Sequence, residues 1–266
     1  MSSSERSNQS ADQLVNYTLH LADSTLILAQ RNSEWCAHGP ILEQDIAITN
    51  ISLDLLGQSR NFYKYAAELV NGSTGQQTNK ETEDSLAYLR TERAFKNLLI
   101  TELPNGDWAQ TVLKQFFFSV YQSLLYGQLE KSSDEQLAAI AEKSLKEITY
   151  HIRWSSEWVI RLGDGTAESN ERMKKALAYL WEYTGELFMP ADYEIILFKK
   201  GIAPDIRLLK DKWSQKIKEV LEEATLEMPA NIYMQSGGKQ GTHTEHLGFI
   251  LAEMQSLQRT YPGAEW

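Results

Sequence analysis

The sequence has one cysteine, Cys36, in 266 residues. Neither an internal disulfide nor a cysteine-rich zinc cluster can therefore form. No apolar run approaches the ~20 residues needed to span a bilayer, and the opening MSSSERSNQSADQ has no apolar signal core. Positive charge is in deficit: 26 Lys and Arg against 36 Asp and Glu give a formal net charge of -10. A surface of that sign argues against a general grip on nucleic acid. Proline and glycine are few, 6 and 15. They fall mainly between periodic segments, which favours helices over many short strands. These absences lead us to expect a soluble cytoplasmic protein without a nucleic-acid or membrane partner.

What is present is helical periodicity. Residues 1–13 are expected to be a disordered tail and 14–266 a single helical domain. Val15, Leu19, Ala22, Leu26 and Ala29 mark a first helix, ending near Trp35 and broken at Gly39-Pro40. The cleanest stripe follows: Leu42, Ile46, Thr49, Leu53, Leu56, Arg60, Tyr63, Ala67 and Val70. A polar loop is expected over 71–80. One helix is expected over 84–102, with Leu86, Leu89, Arg93, Lys96 and Ile100 on one face. The turn Pro104-Asn105-Gly106-Asp107 leads into a helix over 108–131, with Leu113, Phe117, Val120 and Leu124 inward. Ser132-Ser133-Asp134 then opens the helix of 134–162, with an apolar side of Leu137, Ala141, Leu145, Ile148, Ile152, Ser155, Val159 and Leu162. Two helical hairpins joined by a long crossover predict an all-α, ferritin-like four-helix bundle. Additional C-terminal helices are expected from Met173 to Leu187 before Pro190, then a short one to Lys200, and from Leu209 to Ala224 before Pro229. A loop over 231–241 precedes Thr242-His243-Thr244-Glu245, which reads as a capping box for a last helix to about Arg259.

Ferritin-like bundles can hold two metal ions with Glu residues and two Glu-x-x-His pairs. The five histidines are His20, His38, His151, His243 and His246; three positions before them stand Tyr17, Trp35, Ile148, Gln240 and His243. None is acidic. The helix of 108–131 has no acid in its interior, the second helix offers Asp54, and the first offers Asp23. No di-iron centre is expected. Glu147 and His151 share a helix face at an offset of four, beside Trp154 and Trp158. They read as a hydrogen-bonded pair, with ligation of a lone ion, aided by Asp54 and Asp23, as the alternative. Glu34 and His38 read as turn residues at the first break. His243 and His246, around Glu245, could be zinc ligands or an acid–base pair, against a capping role for Glu245. Cys36, two residues from His38, reads as a small buried apolar residue, with a Cys–His nucleophile as the alternative. No catalytic, cofactor-binding or metal-binding residue is assigned.

Several stretches, SEWCAHGP at 33–40, DIAITNISLDLLGQSRNF at 45–62, LRTERAFKNLLITELPNGDWAQT at 89–111, KEITYHIRWSSEWVIRLGDGT at 146–166, LWEYTGELF at 180–188 and GTHTEHLGFILAEMQSLQRTYPGAEW at 241–266, carry a resemblance over nearly the whole chain. In them the sequence resembles the structural C subunits of bacterial phenylacetyl-CoA 1,2-epoxidase complexes, multicomponent di-iron monooxygenases of aerobic phenylacetate catabolism. The resemblance implies a ferritin-like fold and a non-catalytic subunit that binds and supports the catalytic A subunit. It places the di-iron centre in A, and NADPH, FAD and iron–sulfur chemistry in a reductase subunit, with B and D subunits completing the set. It supplies no catalytic residue for this chain. An apolar partner face is expected on the helices of 41–70 or 108–126. Two readings stand beside it: an independent ferritin-like metalloprotein using Glu147 and His151, and a lone storage or CoA-binding protein. Self-association of the chain alone stays open.

Overall fold

The computed structural model describes residues 3–74, 80–230, 232–262 and 264, without the side chains of 3–11 and 74. Helix α1 (Ser3–Ser33) is continuous from Ser3, and the tail expected over 1–13 lies largely outside the described side chains. It turns through residues 34–41 into α2 (Leu42–Thr74). Ala37 takes a left-handed backbone (φ 66°) in that turn, and the Asp45 carboxylate accepts from the Gly39 N–H at 2.9 Å. The turn faces solvent, so Cys36 is exposed rather than buried as expected. Part of the polar loop expected over 71–80 falls on residues 75–79, outside the described residues; α2 itself continues to Thr74.

The single helix expected over 84–102 is absent. In its place stand α3 (Glu83–Tyr88), a 3-10 turn at Glu92–Ala94, an extended stretch, and α4 (Leu99–Glu102). Phe95 and Leu98 have extended backbones. Buried backbone groups need partners, and here other elements supply them. The Lys96 N–H donates to Asp23 Oδ2 at 2.8 Å, Leu98 N–H to Ser24 Oγ at 3.2 Å and Leu99 N–H to Glu186 Oε2 at 2.7 Å. Lys96 O meets His20 Nδ1 at 2.7 Å. Hydrogen bonds to α1 and to Glu186 replace those an isolated helix would make, so the periodicity here carries no helix.

The second hairpin pairs α5 (Trp108–Leu129) with α6 (Glu135–Gly163). Asp107 caps α5 through Gln110 N–H, and Asp134 caps α6 through Leu137 N–H. Of the 22 residues of α5, 16 are buried, because the C-terminal helices cover the side that α6 leaves open. Next come α7 (Ala167–Trp181), a 3-10 turn at Gly185–Phe188, α8 (Asp192–Phe198) and α9 (Lys210–Glu223). Thr184 and Leu187 therefore lie beyond α7, not within it. Helix α9 stops at Ala224, where Thr225 takes φ 57°, rather than at Pro229. Trp213 of α9 packs on Phe117 of α5, and its indole N–H donates to the Phe117 carbonyl at 3.0 Å.

The last helical segment is broken at Gln255 into α10 (Glu245–Met254) and α11 (Ser256–Thr260). Its cap is Thr244, whose hydroxyl accepts from His246 N–H, not Thr242. The Thr244 N–H donates to Glu102 Oε1 at 2.6 Å. A carboxylate from α4 thus does what Glu245 was expected to do. No strand occurs and no helix is long and apolar enough to cross a membrane among the described residues.

Candidate functional site

Where a ferritin-like bundle has room for chemistry, between α1, α2, α5 and α6, this chain places a ladder of amides and hydroxyls. Asn32 Nδ2 of α1 donates to Gln115 Oε1 of α5 at 2.7 Å, and Gln115 Nε2 donates to Ser119 Oγ at 2.8 Å. Gln122 Nε2 of α5 donates to Gln58 Oε1 of α2 at 2.8 Å and to Tyr126 OH at 3.2 Å. Gln58 Nε2 then donates to Glu147 Oε2 of α6 at 2.8 Å. Helix α5 presents no carboxylate to this interior. Neutral amides are poor ligands for iron beside carboxylate and imidazole; each amide nitrogen here is engaged by a neighbour, while Asn32 Oδ1 and Gln122 Oε1 are buried without a partner.

Glu147 and His151 do share a face, but they reach different partners on α2. His151 Nε2 lies 3.0 Å from Asp54 Oδ2, while Glu147 takes Gln58. The structure thus joins Asp54 to His151 and separates both from Asp23. Asp23 lies buried with Arg90 and Tyr63; the Tyr63 hydroxyl donates to its Oδ1 at 2.5 Å, and the Arg90 guanidinium donates to both oxygens. Trp154 and Trp158 both donate to Gln44 Oε1, at 2.9 and 2.7 Å. Among the described residues no three His, Cys, Asp or Glu side chains form a group that could hold a metal ion. Judged by its donors, the interior does not fit a dinuclear metal centre.

The remaining candidates also separate. Glu34 pairs with Arg31 at 2.7 Å and accepts from Asn105, while His38 is exposed at the turn. His243 precedes α10, with Nδ1 2.9 Å from Glu102 Oε2 and Nε2 3.0 Å from Phe95 O. Burial lowers its pKa, but the Glu102 carboxylate, together with the Phe95 carbonyl and the Asp23 charge, more than offsets that, and the net displacement is upward. His246 is not part of this contact. The pairing is a clamp between α4 and the chain before α10.

Periodicity misses the buried charged residues of this second layer. Glu186 accepts from Leu99, Gly237 and Gly238 N–H groups at 2.7 to 2.9 Å. Burial raises its carboxyl pKa, against the pull of those N–H groups and the Lys239 ammonium. Lys239 donates to Glu194 at 2.9 Å and to Met189 O at 3.0 Å. Lys114 donates to Leu103 O and Asn105 Oδ1 at 2.7 and 3.1 Å, and burial pushes its ammonium down to about 7. Each group satisfies irregular backbone. The only sequence hint is that charge falls inside otherwise apolar stretches.

The surface carries a further feature. On the outer side of α2, Leu42, Ile46, Leu53 and Leu56 are exposed, Leu42 by 72% and Leu53 by 59%. The buried side of the same helix is Ile48, Ile51, Leu55, Gln58, Ser59 and Phe62. The cleanest stripe in the sequence is thus largely unpartnered in its first half. Of the two helices on which a partner face is expected, α2 exposes an apolar stripe and α5 is largely buried.

A model of the phenylacetic acid catabolic protein family matches residues 1–266. The chain is 48% identical over 255 residues to the C subunit of the 1,2-phenylacetyl-CoA epoxidase of Escherichia coli (strain K12), covering 96% of this chain and 100% of that protein. With its all-α, ferritin-like architecture and a match from end to end, the chain belongs to the phenylacetic acid catabolic protein family.

Proposed function

We propose that this chain is a non-catalytic structural subunit of a bacterial multicomponent di-iron monooxygenase that epoxidises phenylacetyl-CoA in phenylacetate catabolism. Its role is to bind and support the catalytic A subunit, within a complex that also holds B, D and reductase subunits. The observation that carries this reading is the interior ladder of Asn32, Gln115, Gln58 and Gln122. It fills the bundle with linked neutral groups instead of carboxylate and imidazole ligands, and two of their oxygens, Asn32 Oδ1 and Gln122 Oε1, are buried without a partner. The likeness to an epoxidase C subunit supports the reaction context.

The outer face of α2 supports the docking role. Leu42, Ile46, Thr49, Leu53 and Leu56 follow steps of four and three, the spacing that packs one helix along another. The occupant is a helix of the catalytic subunit. Co-expression should yield a stoichiometric pair that survives gel filtration at micromolar concentration, with iron in the pair and none in this chain alone. Separate elution, or stoichiometric iron bound tightly to this chain alone, would overturn the reading. Glu147 and His151 serve different residues of α2, Gln58 and Asp54, which separates them as a ligand pair, although His151 Nδ1 is buried without a partner.

A further inference from the structure

At the end of the bundle away from the turn of residues 34–41, the C-terminal end of α5 and the chain between α8 and α9 enclose a cleft of about 380 Å³. Its apolar lining is Leu124, Phe198, Ile202, Leu208 and Leu209. Phe198 and Leu208 stand at its lip, 44% and 74% exposed. The walls are fixed by hydrogen bonds between the two segments. Ser132 Oγ donates to Ile202 O at 2.7 Å, and Ser133 N–H donates to Gly201 O at 3.0 Å. Gly201 adopts φ 72°, a conformation that suits glycine, to close the turn.

The charge of this cleft is opposite to that of the molecule. The chain as a whole is at -10. Yet the stretch FKKGIAPDIRLLKDK, residues 198–212, holds five Lys or Arg against two Asp. The charged lining residues are Lys131, Lys212 and Asp205. Asp205 is already neutralised by Arg207, with two contacts of 2.8 Å. Neither Lys131 nor Lys212 has a carboxylate within ion-pair distance among the described residues. Apolar side chains and two ammonium groups without a carboxylate partner, in one cleft that Gln128 and Ser132 also line, suit an apolar body carrying an anion.

We propose that this cleft binds a small amphipathic anion, an organic carboxylate or phosphate monoester on an apolar body. This goes beyond the scaffold role and does not depend on it. The test is methyl NMR on the full chain titrated with octanoate, and with octan-1-ol as its uncharged counterpart. Octanoate should shift the methyls of Leu124, Ile202, Leu208 and Leu209 saturably, and bind more tightly than octan-1-ol. The double variant Lys131→Met, Lys212→Met changes only exposed side chains, so its ligand-free spectrum should be that of the folded wild type. It should bind octanoate about tenfold more weakly, the scale of two exposed charge contacts. Octan-1-ol binding as tightly as octanoate, a double variant that binds octanoate like the wild type, or no saturable shift at these methyls would each overturn the proposal.

Discussion

At the scale of single residues, this molecule stands on carboxylates and ammonium groups placed where apolar side chains would be usual. Glu186 receives three backbone N–H groups. In Glu186→Gln the amide nitrogen must face at least one of those donors. That leaves a buried N–H without an acceptor and should cost about 2 to 3 kcal/mol, read from the shift in urea midpoint. Lys114 gives a prediction with a sign in pH. Its folded pKa, about 7, lies below the ordinary lysine value of 10.5. Between these values the unfolded chain binds the extra proton, so this group makes stability rise with pH from about 7 towards 10. Below pH 7 both states are protonated and that gain is gone. Unfolding of Lys114→Met should lack this rise, so the wild type gains on the variant as pH climbs; parallel pH profiles would refute it. His243 runs the other way. Its folded pKa is raised, so the stability it adds is full below about 6.5 and is lost as pH rises through the folded value. His243→Gln should therefore be most costly at acidic pH.

Among the elements, α2 holds two stripes with different tasks. Leu55 is buried and Leu53 exposed by 59%, though two positions apart. Leu55→Ala should cost about 2 to 5 kcal/mol of stability by opening a cavity. Leu53→Glu should change stability by no more than about 0.5 kcal/mol, while weakening the pair with the catalytic subunit at least about tenfold. Analytical ultracentrifugation of the pair beside thermal unfolding of the single chain separates the two effects. The junction of α6 and α9 shows how closely elements approach. A Cβ on Gly163 would collide with the Ala224 carbonyl oxygen, and neither backbone can swing aside as a side chain could. Gly163→Ala should cost about 1 to 3 kcal/mol, the range for overpacking. The crossover of α3 and α4 was not legible from periodicity. Leu86, Lys96 and Ile100 have helical spacing, but the N–H groups of Lys96, Leu98 and Leu99 belong to Asp23, Ser24 and Glu186.

For the whole molecule, the polar interior and the apolar exterior of α2 are complementary departures from an ordinary soluble bundle. The interior needs nothing further at Gln58 Nε2 or Gln115 Nε2, which are already bonded. The exterior exposes leucine and isoleucine that a solitary protein gains nothing by exposing. Burying that face against a second bundle removes apolar surface from water, and the catalytic subunit should accordingly raise the unfolding temperature of this chain as its concentration rises. A midpoint that does not move on adding excess catalytic subunit would count against the pairing.

The sequence by itself determined the bundle. The two hairpins, Asp134 at the opening of its helix, the C-terminal helices and the missing Glu-x-x-His pairs are local properties, readable from spacing and from residue type. It also set the charge and the family. Only the tertiary structure decided which side of α2 is core, that 84–102 is not one helix, that His151 belongs to Asp54, and that Glu102, Glu186 and Glu194 hold irregular backbone in place. The physical reason is that these depend on partners distant in the chain. A buried carboxylate or a broken helix is stable only when groups brought by other elements satisfy it, and periodicity carries no record of them.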